Sequence, residues 1–225
     1  MMSSGTPRRG VFISFEGIDG TGKTTQAALL ARWLRERGLV VVHTREPGGT
    51  PLGEELRHLL LDMKGEGAEA DGRGPVPVAE MLLMAAARAQ HVARVILPAL
   101  EAGQVVVSDR YVDSSLAYQG AGLGLPEQDV RLVNEVATGG LLPDLTILLD
   151  LEPARAHERE GVALDRIERR GLAFQERVRN AYHRLARQEP GRWLVLDVAG
   201  MSVDAVHAQV ARAVAARLRE RGLEP

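Results

Sequence analysis

Residues 11–25 of the chain read VFISFEGIDGTGKTT, an apolar run that passes into a glycine-rich turn and then into the start of a helix. Gly17, Gly22, Lys23 and Thr24 match the spacing G-x-x-x-x-G-K-[ST]. Glycines allow successive backbone N–H groups to point at a phosphate, and the N-terminus of the following helix adds positive potential. The lysine then reaches the outer phosphates, and the threonine hydroxyl ligates Mg²⁺. The stretch therefore predicts a nucleotide phosphate site, with a plain strand-to-helix turn as the alternative.

The phosphate-loop motif predicts a ligand but leaves the reaction open. It occurs in kinases, GTPases, motors and recombination ATPases, so the remainder of the chain has to discriminate among them. Lys23 is expected to be an exposed loop side chain that contributes little to packing. The residues expected to surround the nucleotide phosphates are Gly17, Ile18, Asp19, Gly20, Thr21, Gly22, Lys23, Thr24 and Thr25.

Short apolar segments alternate with longer periodic segments along the chain. The apolar segments predict strands buried on both faces of a parallel sheet, at residues 11–15, 39–44, 105–108, 145–149 and 193–198. The periodic segments predict helices at residues 23–37, 52–63, 78–101, 126–137, 172–188 and 202–221, and Pro98 is expected to end or kink the third of them. This alternation favours right-handed crossovers with helices on both faces of the sheet. We predict one α/β domain over residues 1–225, with a five-stranded parallel sheet and a flexible N-terminus at residues 1–10.

The composition excludes several classes of protein. The 225 residues contain 28 Lys and Arg against 30 Asp and Glu, and no cysteine. The absence of cysteine rules out disulfides, thiolate metal sites and cysteine nucleophiles. A net charge of −2 gives no electrostatic argument for a nucleic-acid or anionic-membrane partner. No secretory signal and no membrane-spanning run of about 18 apolar residues is visible, so a cytoplasmic protein is expected.

Two segments have no clear periodic pattern. Residues 64–77, KGEGAEADGRGPVP, are rich in glycine, proline and acidic residues and predict a mobile surface loop. Residues 152–170 are dense in charges of both signs. A charge-rich segment of this kind is either a solvated helix face or a segment that closes over a charged ligand.

Beyond the phosphate loop, several ordered blocks resemble the bacterial thymidylate kinase family. They are FEGIDGTGKTTQ at 15–26, REPGGTPLGE at 45–54, RAQH at 88–91, SDRYVDSSLAYQG at 108–120, DRIE at 165–168 and FQERVRNAY at 174–182. The resemblance implies a P-loop NTPase fold with a small helical lid, and transfer of the ATP γ-phosphate to dTMP in the biosynthesis of dTTP. It also implies Mg²⁺ as cofactor, a homodimer, and Lys23, Arg110, Arg159 and Asp19 as catalytic residues.

Arg45 follows the second predicted strand, at the carboxyl edge where α/β sheets bind ligands. Its guanidinium can fork onto an acceptor phosphate, and the turn formed by Pro47, Gly48 and Gly49 lets the backbone approach it. The alternative is a surface arginine on a turn. The resemblance implies that Arg45 contacts the nucleoside monophosphate.

Asp109 and Arg110 end the third predicted strand at the same edge. An aspartate at this position can hold Mg²⁺ or its water, in the company of Thr24. Arg110 can bridge the acceptor phosphate and the transferring group. An Asp–Arg salt pair that ends a strand is the alternative.

The resemblance further implies a pocket for thymine and deoxyribose. Arg88 is expected to hydrogen-bond to the base, and Tyr118 resembles the residue that crowds out a ribose 2′-hydroxyl. Met84 stands where the family usually has an aromatic residue, and its thioether can pack on a ring face. The residues expected to bind dTMP are Asp19, Arg45, Met84, Arg88, Arg110, Ser115, Tyr118 and Gln119.

Residues 152–170 correspond to the family's lid over ATP. Some members carry a catalytic arginine in the phosphate loop, where this chain has Gly20, so the resemblance implies that a lid arginine stabilises the transferring phosphoryl group here. Arg155, Arg159 and Arg166 are the candidates, and counting back six residues from Asp165 favours Arg159. For any one of them, a solvated helix face is the alternative.

Three other activities compete with this interpretation. Met84 leaves open a kinase of the same fold that acts on dUMP or a purine monophosphate. A deoxynucleoside kinase explains Arg45 and Arg110 less well, because a bare nucleoside has no phosphate for them to bind. A DNA-repair or regulatory ATPase would need a surface for DNA or a protein partner, which the charge balance does not indicate.

Overall fold

The computed structural model describes residues 10–61, 74–159, 167 and 170–224, with no side chain described for Arg159. The N-terminal segment predicted to be flexible lies almost wholly outside these residues. Most of the loop predicted at 64–77, and residues 160–166, 168 and 169 of the predicted lid, also lie outside them.

One parallel sheet organises the described chain. Its strands are β1 (Val11–Glu16), β2 (Val41–Arg45), β3 (Val105–Asp109), β4 (Leu145–Asp150) and β5 (Trp193–Asp197). They lie in the order β2-β3-β1-β4-β5, so β1 is central. Every residue of β1, β3 and β4 is buried, as continuous apolar runs in a covered parallel sheet require. The five-stranded parallel sheet predicted from the sequence is confirmed.

The described residues form nine α-helices. They are α1 (Lys23–Arg35), α2 (Pro51–Leu61), α3 (Pro77–His91), α4 (Leu97–Glu101), α5 (Val112–Ser115), α6 (Glu127–Thr138), α7 (Pro153–Arg159), α8 (Leu172–Gln188) and α9 (Val203–Glu220). Two π-helical segments, Val92–Ile96 and Leu116–Gly122, continue α3 and α5.

Apolar clusters cover both faces of the sheet. The pleat turns Val11, Ile13 and Phe15 toward the larger cluster, which contains the apolar residues of α1 and α9. Phe12 and Val106 face the smaller cluster, built largely from the segment 92–100 and from Tyr111. Helices on both faces follow from this alternation, as predicted. Among the described residues, no helix is both long and apolar enough to cross a membrane.

The sequence pattern predicts one helix over residues 78–101, whereas the structure divides this stretch into three helical segments. It is α-helical to His91, widens into the π-helical segment Val92–Ile96, and resumes as α4. Pro98 lies at the start of α4, and the missing N–H of a proline and its clash with the carbonyl four residues earlier explain why the regular ladder fails there.

The helical stretch from Val112 to Gly122 was not predicted. Residues 111–120 are all buried, so no polar face is present and the amphipathic period that identifies a helix is missing. The second strand also begins at Val41, two residues later than predicted, because the chain leaves α1 through a turn at Gly38 with φ of 83°.

The topology brings two strand ends together at the carboxyl edge of the sheet. β1 and β3 are neighbours, and Phe15 stands opposite Asp109 in the ladder. The turn after β1 and the turn after β3 therefore lie side by side. Ligands of open α/β sheets bind in such a crevice.

Candidate active site

A pocket of about 540 Å³ opens at this edge of the sheet. All of the residues predicted to bind the monophosphate line it, together with most of the predicted phosphate loop. Of that loop, only Gly17, Ile18 and Thr21 are not part of the lining. The structure therefore assembles residues from several separate stretches of sequence around a single space.

The phosphate loop has the backbone that its glycines predict. Gly17 has a φ of 136°, and a Cβ atom there would lie 2.4 Å from the carbonyl oxygen of Leu149. Only glycine allows the loop to leave β1 this close to β4. Gly22 has a φ of 94° and immediately precedes α1.

Lys23 is not the exposed side chain expected from its loop position. It is only 6% exposed, because its ammonium folds back over the loop and donates to the carbonyl oxygen of Ile18 at 2.7 Å. Asp19 Oδ1 lies 3.4 Å from the same nitrogen. Burial and the nearby guanidinium of Arg110 lower the pKa of Lys23. The charge is therefore held inside the cradle that the loop forms.

Thr24 and Asp109 meet across the sheet edge. The Thr24 hydroxyl donates to Oδ2 of Asp109 at 2.5 Å. The other carboxylate oxygen, Oδ1, is buried and has no hydrogen-bond partner in the part of the chain that the structure describes. An unpartnered buried carboxylate oxygen beside a threonine hydroxyl is a donor set that suits a hard cation such as Mg²⁺.

Arg110 is the centre of the charged network between the two strand ends. It has a φ of 73°, in the left-handed region that a non-glycine residue rarely adopts. Its guanidinium forms an ion pair with Asp19 and donates to the carbonyl oxygen of Gly17 at 3.1 Å and to the Tyr118 hydroxyl at 3.2 Å. The backbone is thus held in a costly conformation that aims the guanidinium at the phosphate loop.

Asp19 remains ionised because of these cations. Burial alone would raise its pKa, but the guanidinium of Arg110 and the ammonium of Lys23 lower it to about 2. Tyr118 donates to its Oδ2 at 3.2 Å. Asp19 therefore carries a full negative charge between two positive groups of the pocket.

Glu16 is a buried carboxyl group at this junction that the sequence reasoning missed. It is fully buried at the end of β1 and accepts from the Tyr111 backbone N–H at 2.8 Å. It also accepts from the hydroxyl groups of Ser114 and Tyr182, at 2.6 and 2.8 Å. Burial and the nearby Asp113 raise the pKa of Glu16 to about 7. The sequence signal was a single acid closing an otherwise apolar strand.

Arg45 stands at the open side of the pocket. Its side chain is 53% exposed and forms an ion pair with Oε2 of Glu54 at 2.9 Å. The other oxygen of Glu54 accepts from the backbone N–H of Gly49 at 3.0 Å. Glu54 thus ties the turn after β2 to the arginine, a role that the sequence alone did not indicate.

Arg88 contrasts with Arg45 because it is 2% exposed and surrounded by acceptors. Nε donates to Glu46 at 2.7 Å, and Nη2 donates to the Tyr111 carbonyl oxygen at 3.2 Å. Nη1 donates to Ser115 at 2.8 Å and also to Asn134. Among the described residues, these partners use four of the five N–H groups of the guanidinium.

The remainder of this end of the pocket is apolar or internally paired. Met84 is buried and lines the pocket beside Arg88. Gln119 donates to Oε1 of Glu80 at 2.9 Å, and Arg170 pairs with the same carboxylate at 2.6 Å. The side-chain amide of Gln119 is therefore fixed in orientation by a buried ion pair.

The predicted lid is described only in part. Helix α7 ends at Arg159, whose backbone alone is described, and Arg155 on the same helix is exposed. Arg166 lies outside the described residues. The choice among the three lid arginines stays a prediction.

Three comparisons with known proteins agree with one another. The thymidylate kinase family model matches residues 15–210. Thymidylate kinase of Bifidobacterium longum strain NCC 2705 is 51% identical over 201 residues, which cover 89% of this chain and 95% of that protein. Thymidylate kinase of Symbiobacterium thermophilum is 50% identical over 205 residues, covering 91% of this chain and 92% of that protein. The chain belongs to the thymidylate kinase family.

A solved structure extends this likeness to the fold. The crystal structure of thymidylate kinase from Ehrlichia chaffeensis superposes with a TM-score of 0.70 at 32% identity, covering 91% of this chain and 98% of that one. The P-loop fold and the family resemblance predicted from the sequence are confirmed. As a thymidylate kinase, the chain transfers a phosphoryl group from ATP to dTMP.

Proposed function

We propose that this transfer takes place in the pocket at the carboxyl edge of the sheet, within a single domain. The observation that carries the proposal is the convergence of a phosphate loop, two arginines at strand ends and a buried arginine beside an apolar side chain on one space of about 540 Å³. Such a space has a cationic end for phosphates and an apolar end for a base.

The phosphate loop holds the donor. Backbone N–H groups between Gly17 and Thr25 cradle the ATP phosphates, and the N-terminus of α1 adds its dipole. When ATP binds, Lys23 replaces its hydrogen bond to the Ile18 carbonyl oxygen with one to a phosphate oxygen. The ammonium thereby acquires a charged partner without a large movement. Phosphoryl transfer needs positioning and charge stabilisation rather than covalent catalysis, so no nucleophilic side chain is required.

Thr24 and Asp109 hold Mg²⁺ in this proposal. The fit rests on the threonine hydroxyl and on the buried Oδ1 of Asp109, which has no described partner. When bound, the ion neutralises charge on the β- and γ-phosphate oxygens. Asp109 is fixed for this task by its place in the β1–β3 ladder.

Two arginines hold the acceptor phosphate, and Asp19 orients one of them. Arg45 approaches from the open side, Arg110 from the strand end, and Asp19 keeps Arg110 oriented between the two substrates. Because Arg110 also contacts the loop carbonyl of Gly17, it lies where it can bridge the acceptor phosphate and the transferring group.

Arg88, Met84, Ser115, Tyr118 and Gln119 bind the nucleoside. Four N–H groups of Arg88 are used by described protein acceptors, so a single N–H remains for a base carbonyl. Met84 offers an apolar surface to the ring face. Recognition of this kind depends on shape and on one directed hydrogen bond.

A substitution of Arg110 tests the proposed site. Arg110→Met keeps the cost of a positive φ but removes the charge, so we expect kcat to fall by on the order of 10³-fold. Arg32→Met, at an exposed arginine on α1, is the matched control. An Arg110→Met enzyme that folds and turns over at a near-normal rate would refute the proposed site.

Arg159 supplies the lid charge in this proposal. Arg159→Ala should lower kcat much more than it weakens dTMP binding, because the charge acts on the transferring group. Arg155→Ala and Arg166→Ala are the comparison variants. A selective loss of kcat in either of them, with Arg159→Ala unaffected, would show that the register is wrong.

We also propose a cytoplasmic homodimer. The neighbouring helices α2, α3 and α6 each carry exposed apolar side chains, namely Leu52, Leu59, Val78, Leu82, Leu132 and Val136. Large exposed apolar side chains on neighbouring helices are typical of an interface, and in this proposal a second copy of the chain covers them. Leu82→Glu combined with Val136→Glu should yield monomers in sedimentation velocity, whereas Val40→Glu, at an exposed valine before β2, should not. Monomers in the unmodified protein would contradict this part of the proposal.

A further inference from the structure

The buried carboxyl of Glu16 lies behind Arg110, away from the ligand space. It ends β1 directly before the phosphate loop, and the Arg110 backbone N–H bonds to the carbonyl oxygen of the preceding Phe15 at 2.9 Å. The next backbone N–H, of Tyr111, donates to Glu16. The end of β1 therefore holds both peptide groups on either side of the strained Arg110 residue.

Two hydroxyl groups connect Glu16 to the guanidinium. Ser114 and Tyr182 each donate to Oε2 of Glu16. The same two hydroxyl oxygens lie 3.2 and 3.5 Å from Nη1 of Arg110, which donates to them. Each hydroxyl can therefore direct its proton at the ionised carboxylate and a lone pair at the arginine, and the two hydroxyl oxygens also lie 2.9 Å from each other.

This arrangement depends on the charge of the carboxyl group. An ionised carboxylate only accepts, so both hydroxyl protons can point to it. A protonated carboxyl must donate to one of the two hydroxyls, whose own proton then turns toward the other hydroxyl oxygen, 2.9 Å away. Protonation would therefore redirect the hydroxyl protons and remove the negative charge that attracts Arg110, which loosens the guanidinium.

We propose that the ionised carboxylate of Glu16 is a positioning group, which holds Arg110 in its place through two intervening hydroxyl groups. The proposal rests on the function proposed above, since it explains how the pocket keeps Arg110 aimed at the phosphates. It adds a consequence that the proposed roles alone do not contain. Phosphoryl transfer becomes sensitive to pH near neutrality through a group that never touches a substrate.

The surroundings of Glu16 support a titration in this range. The charged and titratable groups that face it are Arg110 and Asp113 from the segment after β3, and Tyr182 from α8. Asp113 is itself paired with Arg192 at 2.6 Å. Burial and Asp113 raise the pKa of Glu16 to about 7, while Ser114, Arg110 and Tyr182 act against that rise.

The test compares the pH dependence of kcat/KM for dTMP in two enzymes. Glu16→Gln is a permanently neutral isostere, so its ratio to the unmodified enzyme cancels the ionisation of dTMP and of every other group. We expect the unmodified enzyme to be faster by ten- to a hundredfold at pH 8. This advantage should shrink by about tenfold on going to pH 5.5, where Glu16 of the unmodified enzyme is protonated and neutral.

Two further variants keep the test decisive. Tyr182→Phe removes one of the hydrogen bonds that hold the carboxylate ionised. The acid limb of the profile, where kcat/KM falls toward low pH, should therefore move to higher pH by about half a unit to one unit. Glu127→Gln, at an exposed carboxylate on α6, should leave the profile unchanged. If Glu16→Gln does not fold, an unmoved acid limb in Tyr182→Phe overturns the proposal by itself.

The possible failures are distinguishable. A ratio that is independent of pH, or a Glu16→Gln enzyme as fast as the unmodified one at pH 8, overturns the role of Glu16 while dTMP-dependent turnover leaves the proposed function intact. A near-normal Arg110→Met enzyme would instead remove the function on which the inference rests.

Discussion

At the base end of the pocket Arg88 is buried and almost completely hydrogen-bonded, whereas at the phosphate end Arg45 is half exposed and has one carboxylate partner in the part of the chain that the structure describes. Arg88 is therefore fixed by the protein before any ligand arrives. Arg45 keeps most of its hydrogen-bonding capacity for a ligand. In the proposed function the two ends use the same side chain for different purposes, a rigid template for a base and an available charge for a phosphate.

This difference has an energetic consequence. A buried charge that loses its partner destabilises the fold strongly, while an exposed ion pair contributes little. Substitutions at the base end should therefore cost stability as well as activity. Substitution of the exposed Arg45 at the phosphate end should cost activity alone.

The largest effect is expected at Lys23. Lys23→Ala removes the charge nearest the donor phosphates, so kcat should fall by on the order of 10³-fold. Steady-state ADP release measures the loss, and circular dichroism with a thermal melt establishes that the protein is folded. Arg35→Ala on the same helix is the control for a general effect of losing a cation. A folded Lys23→Ala enzyme with near-normal turnover would contradict the role proposed for Lys23.

Arg88→Met should lower both the stability of the fold and the binding of dTMP at the base end. It leaves Glu46 buried without its guanidinium partner, and we expect a loss of unfolding free energy of about 3 kcal/mol. Denaturant titration measures this loss, and the KM for dTMP should rise in parallel. Arg88→Met combined with Glu46→Gln should recover part of the stability but not the KM. Unchanged stability in the single variant would contradict the contrast between the two ends.

Arg45→Gln is the counterpart at the phosphate end. Because its ion pair with Glu54 is exposed, the melting temperature should change by no more than about 1 °C. The KM for dTMP should rise by about tenfold, since a charge-assisted contact to the phosphate is lost. A large loss of stability with an unaltered KM would reverse the roles assigned to the two arginines.

The smallest effect is expected at Met84. Met84→Phe places a flat ring where a flexible thioether now packs, and the KM for dTMP should change by only about threefold. The informative quantity is the ratio of kcat/KM for dTMP to that for dUMP, which reports the contact with the thymine methyl group. We expect the ratio to rise in Met84→Phe. A fall would mean that the pocket is shaped around methionine.

Much of the fold follows from local sequence patterns. Buried strands read as continuous apolar runs, and the phosphate loop has a spacing that few other structures require, so the sheet and the turn after β1 were predictable. The helical stretch from Val112 to Gly122 was not, because burial on all sides removes the period that identifies a helix. The π-helical segment before Pro98 depends on how the interrupted ladder repacks, which a local pattern does not specify.

The candidate site likewise contains residues that the sequence predicts and residues that it does not. Residues that line the pocket, such as Lys23 and Asp109, lie at strand ends or in a motif, where position in the sequence indicates position in the pocket. Their supporting partners come from remote segments. Asn134 reaches Arg88 from α6, and Tyr182 reaches Glu16 from α8, across separations of 46 and 166 residues. A single sequence contains no periodic signal for such pairs. The role of Glu16, the acidic residue at the end of β1, was therefore not predicted.

The most direct test of the account is ADP release from Mg-ATP with a panel of acceptors, namely dTMP, dUMP, dCMP, dAMP, dGMP and thymidine. The account predicts release that depends on the acceptor and is fastest with dTMP, because the pocket pairs a phosphate-binding end with a base end that has one directed hydrogen bond. Preference for another monophosphate would contradict the thymine pocket. Release that no acceptor stimulates would contradict phosphoryl transfer to a nucleotide at this site.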